Sequence, residues 1–217
     1  MKFYILASLI LFCLVVKHAI RKNRKIEKEA DESFWERESR ANEVRKKSIE
    51  GLDYIPIPGF VLQLLSQRET APFPEYLEIV SSLCHSKLLN LAGISNTELK
   101  LTYGAANLPV LSEYEENFSL FVRTLDQAAS LYYEEALTKE AAKDVDAKAS
   151  LEAARSLWEY AVKIGSDITS SYLGLAKIYA KTEPDKLEEL LLSARLLTTS
   201  KSDIIVRKLE EFGQSIC

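Results

Sequence analysis

The stretch that decides the fold runs from Ala149 to Leu197: ASLEAARSLWEYAVKIGSDITSSYLGLAKIYAKTEPDKLEELLLSARLL. Its apolar periodicity predicts helix, turn, helix, turn, helix, with Gly165 to Asp167 in the first break and Pro184 in the second. Small residues recur at Ala154, Ala161, Gly174, Ala176, Ala180 and Ala194. Large ones lie among them, including Leu151, Leu157, Trp158, Tyr172, Leu175, Ile178, Tyr179, Leu187, Leu191 and Leu192. A small side chain opens a groove for a neighbour's large one, so the alternation suits helices stacked side by side. The expected fold class is all-α.

Working outward, a last amphipathic helix is predicted from Ile204 to Phe212. Upstream, Phe118, Phe121, Val122, Leu125, Ala128, Ala129 and Tyr132 form another helical stripe. It fades into EEALTKEAAKDVDAKA at 134–149, an alanine-rich segment that favours helix, so a hairpin with a protruding tip is expected. Two capping boxes are read, in which a hydroxyl and a carboxylate three residues on satisfy orphan backbone donors. Ser95 with Glu98 opens a short helix stopping at Gly104, and Ser112 with Glu115 opens the long one after a loop at NLPV. A helix from Glu75 to about Leu91 has Pro74 in its first turn and Gly93 past its end. Before it, Pro56 and Pro58 exclude helix and leave Tyr54 to Phe60 extended, as a strap across the helices or as a β-strand.

The N-terminus carries a different signal. Phe3 to Val16 is unbroken apolar sequence, and extension to Ile20 gives 18 residues. As a helix that is roughly 27 Å, close to a hydrocarbon core of about 30 Å if Lys17 snorkels. The flank KHAIRKNRK lacks the small-residue cleavage site of a signal peptide, so an uncleaved anchor over 1–20 is expected. Lys17 to Lys28 holds six basic residues against one acid, whereas Gly51 to Cys217 holds 16 Lys and Arg against 24 Asp and Glu, a net of −8. The positive-inside rule then places the body in the cytoplasm. An acidic body repels phosphates, so nucleic acid is not an expected partner. Between anchor and body, 21–50 is predicted as a charged stalk, with Ile26, Ala30, Phe34, Ala41, Val44 and Ser48 as a narrow helical stripe ended by Gly51. Phe34 and Trp35 are expected to seek burial, with a foothold on a partner as the alternative. Residues 51–217 form the helical domain.

With 47% hydrophobic and 28% charged residues among 217, the chain has the composition of a folding domain. Three scattered cysteines make no disulfide framework, and two histidines cannot build a zinc site. Neither a glycine-rich phosphate loop nor a nucleophile elbow occurs. Acidic pairs such as Glu134–Glu135 and Glu188–Glu189 are sequence neighbours, which diverge by about 100° on a helix and read as solvated faces. No catalytic, metal or cofactor residues are expected.

Ala154, Trp158 and Ala161 resemble the second helix of a tetratricopeptide repeat, and Tyr172, Leu175, Ala176 and Tyr179 the first helix of the next. Leu125, Ala128, Ala129 and Tyr132 give the first-helix pattern once more. The resemblance covers about residues 120–197, with roughly a dozen residues more between Tyr132 and Ala154 than a standard 34-residue repeat has. It implies stacked antiparallel helices whose first members line a concave groove for a partner protein. Carried over by position, the groove residues are Arg123, Asp126, Ser130, Tyr133, Lys177 and Lys181. The expected function is a single-pass, membrane-anchored adaptor or scaffold. The alternative is a membrane-bound enzyme using carboxylates brought together only by the fold.

Overall fold

A computed structural model describes residues 31–216 of the chain; the expected anchor lies outside them. The described residues are all-helical, without a strand, and none of their helices is long and apolar enough to cross a membrane. They group into two units, one comprising residues 31–49 with Ser95–Leu108, the other Glu50–Ile94 with Pro109 onward.

In the first unit, helix α1 covers residues 31–43, and α4, Asn96–Tyr103, is followed by a 3₁₀ turn at Ala105–Asn107. The capping box at Ser95 is present: Glu98 N–H donates to Ser95 Oγ at 3.3 Å, and Ser95 N–H to Glu98 Oε2 at 3.1 Å. Gly104 closes α4 at φ +89°, where a Cβ would stand 2.5 Å from the Arg45 carbonyl oxygen, so only glycine fits. Glu38 of α1 accepts from Thr97 Oγ1 at 2.7 Å and from Lys100 Nζ. Those two hydrogen bonds, Lys100 first, hold the Glu38 carboxyl below its ordinary range. The stalk helix stops at residue 43, not Glu50. Lys47 donates its N–H to Tyr103 O at 3.0 Å and accepts from Asn107 Nδ2 at 2.8 Å, so this backbone finds partners outside a helix of its own. Phe34 and Trp35, expected to be buried, are 51% and 66% exposed and meet edge to face at 5.4 Å.

The second unit starts with an extended strap, tied by Ile55 N–H donating to Leu88 O at 2.9 Å. It carries no strand and turns at Pro58 into a helix that the sequence did not predict, α2, Gly59–Ser66. Helix α3, Phe73–Leu83, has Pro74 in its first turn as expected but ends well before Leu91. Leu88 and Leu89 are buried in irregular chain whose backbone bonds go to the strap and to Tyr114. Helix α5 runs from Leu108 to Ala141, so NLPV is not a loop and Ser112 lies inside the helix instead of capping it. Pro109 explains the earlier start: at a first turn its missing N–H costs nothing and its φ is already helical. Then follow α6 (Ala147–Lys163), α7 (Thr169–Thr182), α8 (Lys186–Arg195) and α9 (Ser202–Ile216), close to the predicted spans. Helix α7 packs on α6, α8 and α9, and α8 on α9. Asp167, in the break before α7, accepts from Lys201 Nζ at 3.2 Å.

Trp158 of α6 sits in the middle of this core, 2% exposed. A Cβ on Gly174 of α7 would fall 2.4–2.7 Å from its ring carbons, so the small-residue position is needed for the indole to lie flush on α7. Trp158→Ala is expected to cost about 3–5 kcal/mol in chemical denaturation; a loss below about 1 kcal/mol, typical of surface sites, would overturn the packing. Tyr172 is fully buried and its hydroxyl has no hydrogen-bond partner among the described residues. Burial, then the Asp167 charge, push its pKa up to about 12. The folded chain therefore keeps a proton that the unfolded chain releases near pH 10. Stability is fully present below pH 10 and is lost as pH rises toward 12. Tyr172→Phe should flatten that alkaline loss and leave stability at pH 7 equal or higher, read from melting temperatures at both pH values.

Candidate functional site

Helix α5 ends in a face made of Tyr133, Ala136, Leu137 and Glu140, the i, i+3, i+4, i+7 set of one helix side. After Ala141 the chain reverses through Lys143, which takes φ +57°, and Asp144, whose Oδ1 accepts from Asp146 N–H at 3.0 Å. The start of α6 then brings Lys148 and Leu151 alongside, and the last turns of α7 supply Lys177, Ile178 and Lys181. These three helices enclose a cavity of about 350 Å³. Ala136, Leu137, Leu151 and Ile178 make its lining apolar, and Thr182 Oγ1 is occupied in donating to Ile178 O at 3.0 Å. Two large apolar residues reach solvent around it, Leu137 at 40% and Val145 at 92% exposure.

The rim is charged. Lys181 Nζ lies 3.8 Å from Glu140 Oε2, with both side chains more than 60% exposed, a pair worth between about 0 and 1 kcal/mol. Asp144 is turned back into its own turn. Lys148 and Lys177 have no ion-pair partner among the described residues, so the charge left over at the rim is positive.

Of the six groove residues predicted from sequence, the structure brings Tyr133, Lys177 and Lys181 together on this cavity. Tyr133 is half-buried and tilts onto the Trp158 ring at 5.6 Å. Ser130 is half-buried and does not line the cavity. Arg123 is exposed on a separate recess of about 270 Å³ beside Asp167 and Lys201. Asp126 is not a groove residue. It is buried and accepts from Trp158 Nε1 at 2.9 Å, Ser171 Oγ at 2.8 Å and Ser170 Oγ at 2.7 Å. Three donors from two other helices keep this carboxylate in the core. Sequence reasoning missed Leu137, Val145, Lys148 and Leu151 as lining residues; Leu137 and Val145 are the two large apolar residues in the charged segment 134–149.

A second cluster ties α6, α7 and α8. Glu159 Oε1 accepts from Arg155 Nε and from Tyr179 OH, each at 2.8 Å, and Glu183 pairs with Arg155 at 2.6 Å and Lys186 at 2.8 Å. Hydrogen bonds from Lys186 and then Arg155 hold the Glu183 carboxyl below its ordinary range, while burial and then Glu159 raise that of Tyr179. With each acid engaged by cations, this cluster binds helices to one another.

No protein-family model matches the chain, and neither a curated protein nor a solved structure gives a significant match. Asp126→Ala should cost about 3–5 kcal/mol, because it strands two buried donors and a rim hydroxyl, whereas Ser170→Ala should cost about 1 kcal/mol or less. Equal small losses in denaturant titrations of both variants would show that the carboxylate does not hold the three helices.

Proposed function

We propose that this protein is a single-pass, membrane-anchored helical adaptor of tetratricopeptide-repeat type, holding a partner protein beside the cytoplasmic face of a membrane. The observation that carries the reading is the convergence of Tyr133, Lys177 and Lys181, from two different helices, on one open cavity. Further support comes from helix direction. Ser171 near the start of α7 bonds Asp126, and Lys181 near its end reaches Glu140, so α7 follows α5 in the same sense. That is how first helices of successive repeats run, with α6 between them as a second helix. An aromatic ring with a hydroxyl, exposed leucine and valine, and two unpaired ammonium groups suit a partner surface that presents an apolar side chain beside acids. The apolar run at 3–20 and the basic collar after it supply the membrane attachment.

Full-length tagged protein should stay with membranes through carbonate and high-salt washes; release by salt alone would replace the inserted anchor with electrostatic attachment by the collar. After solubilisation, partners enriched by the wild type should be lost from Lys177→Glu with Lys181→Glu, at an unchanged melting temperature because both side chains are exposed. Full retention of those partners would move the binding surface away from this cavity.

A further inference from the structure

The apolar interior of the same cavity is too small for a protein segment to fill. We propose that it binds a single-chain fatty carboxylate, with the alkyl chain on Ala136, Leu137, Leu151 and Ile178 and the carboxylate meeting the rim ammoniums of Lys148 and Lys177. This does not rest on the adaptor reading, since no partner protein takes part in it. The argument is one of chemistry and size. The lining side chains bring few hydrogen-bonding groups besides the charged rim: the Tyr133 hydroxyl, and that of Thr182, which is committed to Ile178 O. An extended peptide laid along Ala136, Leu137, Leu151 and Ile178 would leave most of its own N–H and C=O groups there without partners, which is costly. A helix satisfies its backbone internally but is about 10–12 Å across, and two turns of it fill roughly 900 Å³. It can rest on the mouth of a cavity of about 350 Å³ without entering it. An alkyl chain has no polar groups to satisfy, and each methylene it buries multiplies affinity about fourfold.

Charge selects the head group. Lys148, Lys177 and Lys181 stand against Glu140 and Asp144 at the mouth, a net charge of +1, and Lys148 and Lys177 have no ion-pair partner among the described residues. They favour an anion over a neutral alcohol or an amine. The volume is near the lower end of the roughly 300–1,000 Å³ of small-molecule sites, which suits one chain and not a two-chain lipid.

The test uses the full chain in phosphatidylcholine nanodiscs and a photoactivatable dodecanoate, with adducts mapped by mass spectrometry. Saturable labelling is expected within residues 133–151 and 177–182, displaced by dodecanoate and at least about fivefold less well by dodecanol, the difference that two exposed charge contacts supply. Lys148→Glu with Lys177→Glu should remove that preference at an unchanged melting temperature, and Leu137→Asp should suppress labelling by placing a charge on the apolar wall. Labelling confined to residues 3–20, or equal competition by dodecanoate and dodecanol, would mean simple partition into the bilayer and would overturn the site. So would labelling that persists unchanged in the lysine double variant.

Discussion

The Trp158 indole is shared by three helices, and the second unit takes its geometry from that sharing. Its N–H donates to Asp126 of α5, its carbon edge lies where Gly174 of α7 has no side chain, and its face meets Tyr133. A buried carboxylate is tolerable only when its oxygens are occupied, and Asp126 completes its set with Ser170 and Ser171 at the start of α7. One polar group therefore fixes both the depth of the indole and the place where α7 begins. Because α7 carries α8 and α9, the arrangement of the C-terminal helices follows from it.

The cavity is a consequence of the same constraint. At Asp126 and Ser171, α5 and α7 are joined by a 2.8 Å hydrogen bond; at Glu140 and Lys181 only a long, exposed ion pair spans them. Gly174 pins α7 on the indole, and Lys177 and Ile178, three and four residues on, are its next contacts along that side. Both line the cavity. Ala136, 3% exposed, and Leu137 then provide apolar wall where a larger residue at 136 would have filled the gap. The opening exists because the polar lock is at one end of the pair.

What could be read from the sequence follows from how local each signal is. Helices α6 to α9 were legible because their periodicity, the glycine after α6 and Pro184 before α8 are local, and Gly174 was legible as a contact residue because it is small within a large apolar run. Asp126 was not, since a carboxylate at a groove position reads as solvated until three distant donors are known to reach it. The non-helical chain after the stalk and the irregular burial of Leu88 and Leu89 share one cause. Their backbone groups bond to segments remote in sequence, and no propensity records that. Ser112 with Glu115 failed differently: the pattern of a capping box was present, but Pro109 had already started the helix. Of the groove positions that the repeat resemblance implied, Tyr133, Lys177 and Lys181 lie beyond the polar lock and line the cavity, whereas Asp126 lies in the lock and is buried.

The cavity wall nearest solvent is held by the weakest forces in the unit. Beyond Ala136, α5 has lost the core, and its last turns depend on alanine-rich helix propensity and on pairs such as Glu135 with Lys139 at 2.9 Å. Such terms contribute tenths of a kcal/mol each, far less than the burial of Trp158. The hairpin tip, with Val145 almost fully exposed, is thus the part of the unit with the least to lose by opening. Apolar surface left open at that tip is a liability in water, and the lysines and acids around it keep the patch small and solvated. Filling the cavity would give Leu137 and Leu151 the neighbours they lack and would extend the core along α5 toward its end. Occupancy and order of the tip are therefore coupled, because the contacts a ligand makes are those that the free protein leaves unmade.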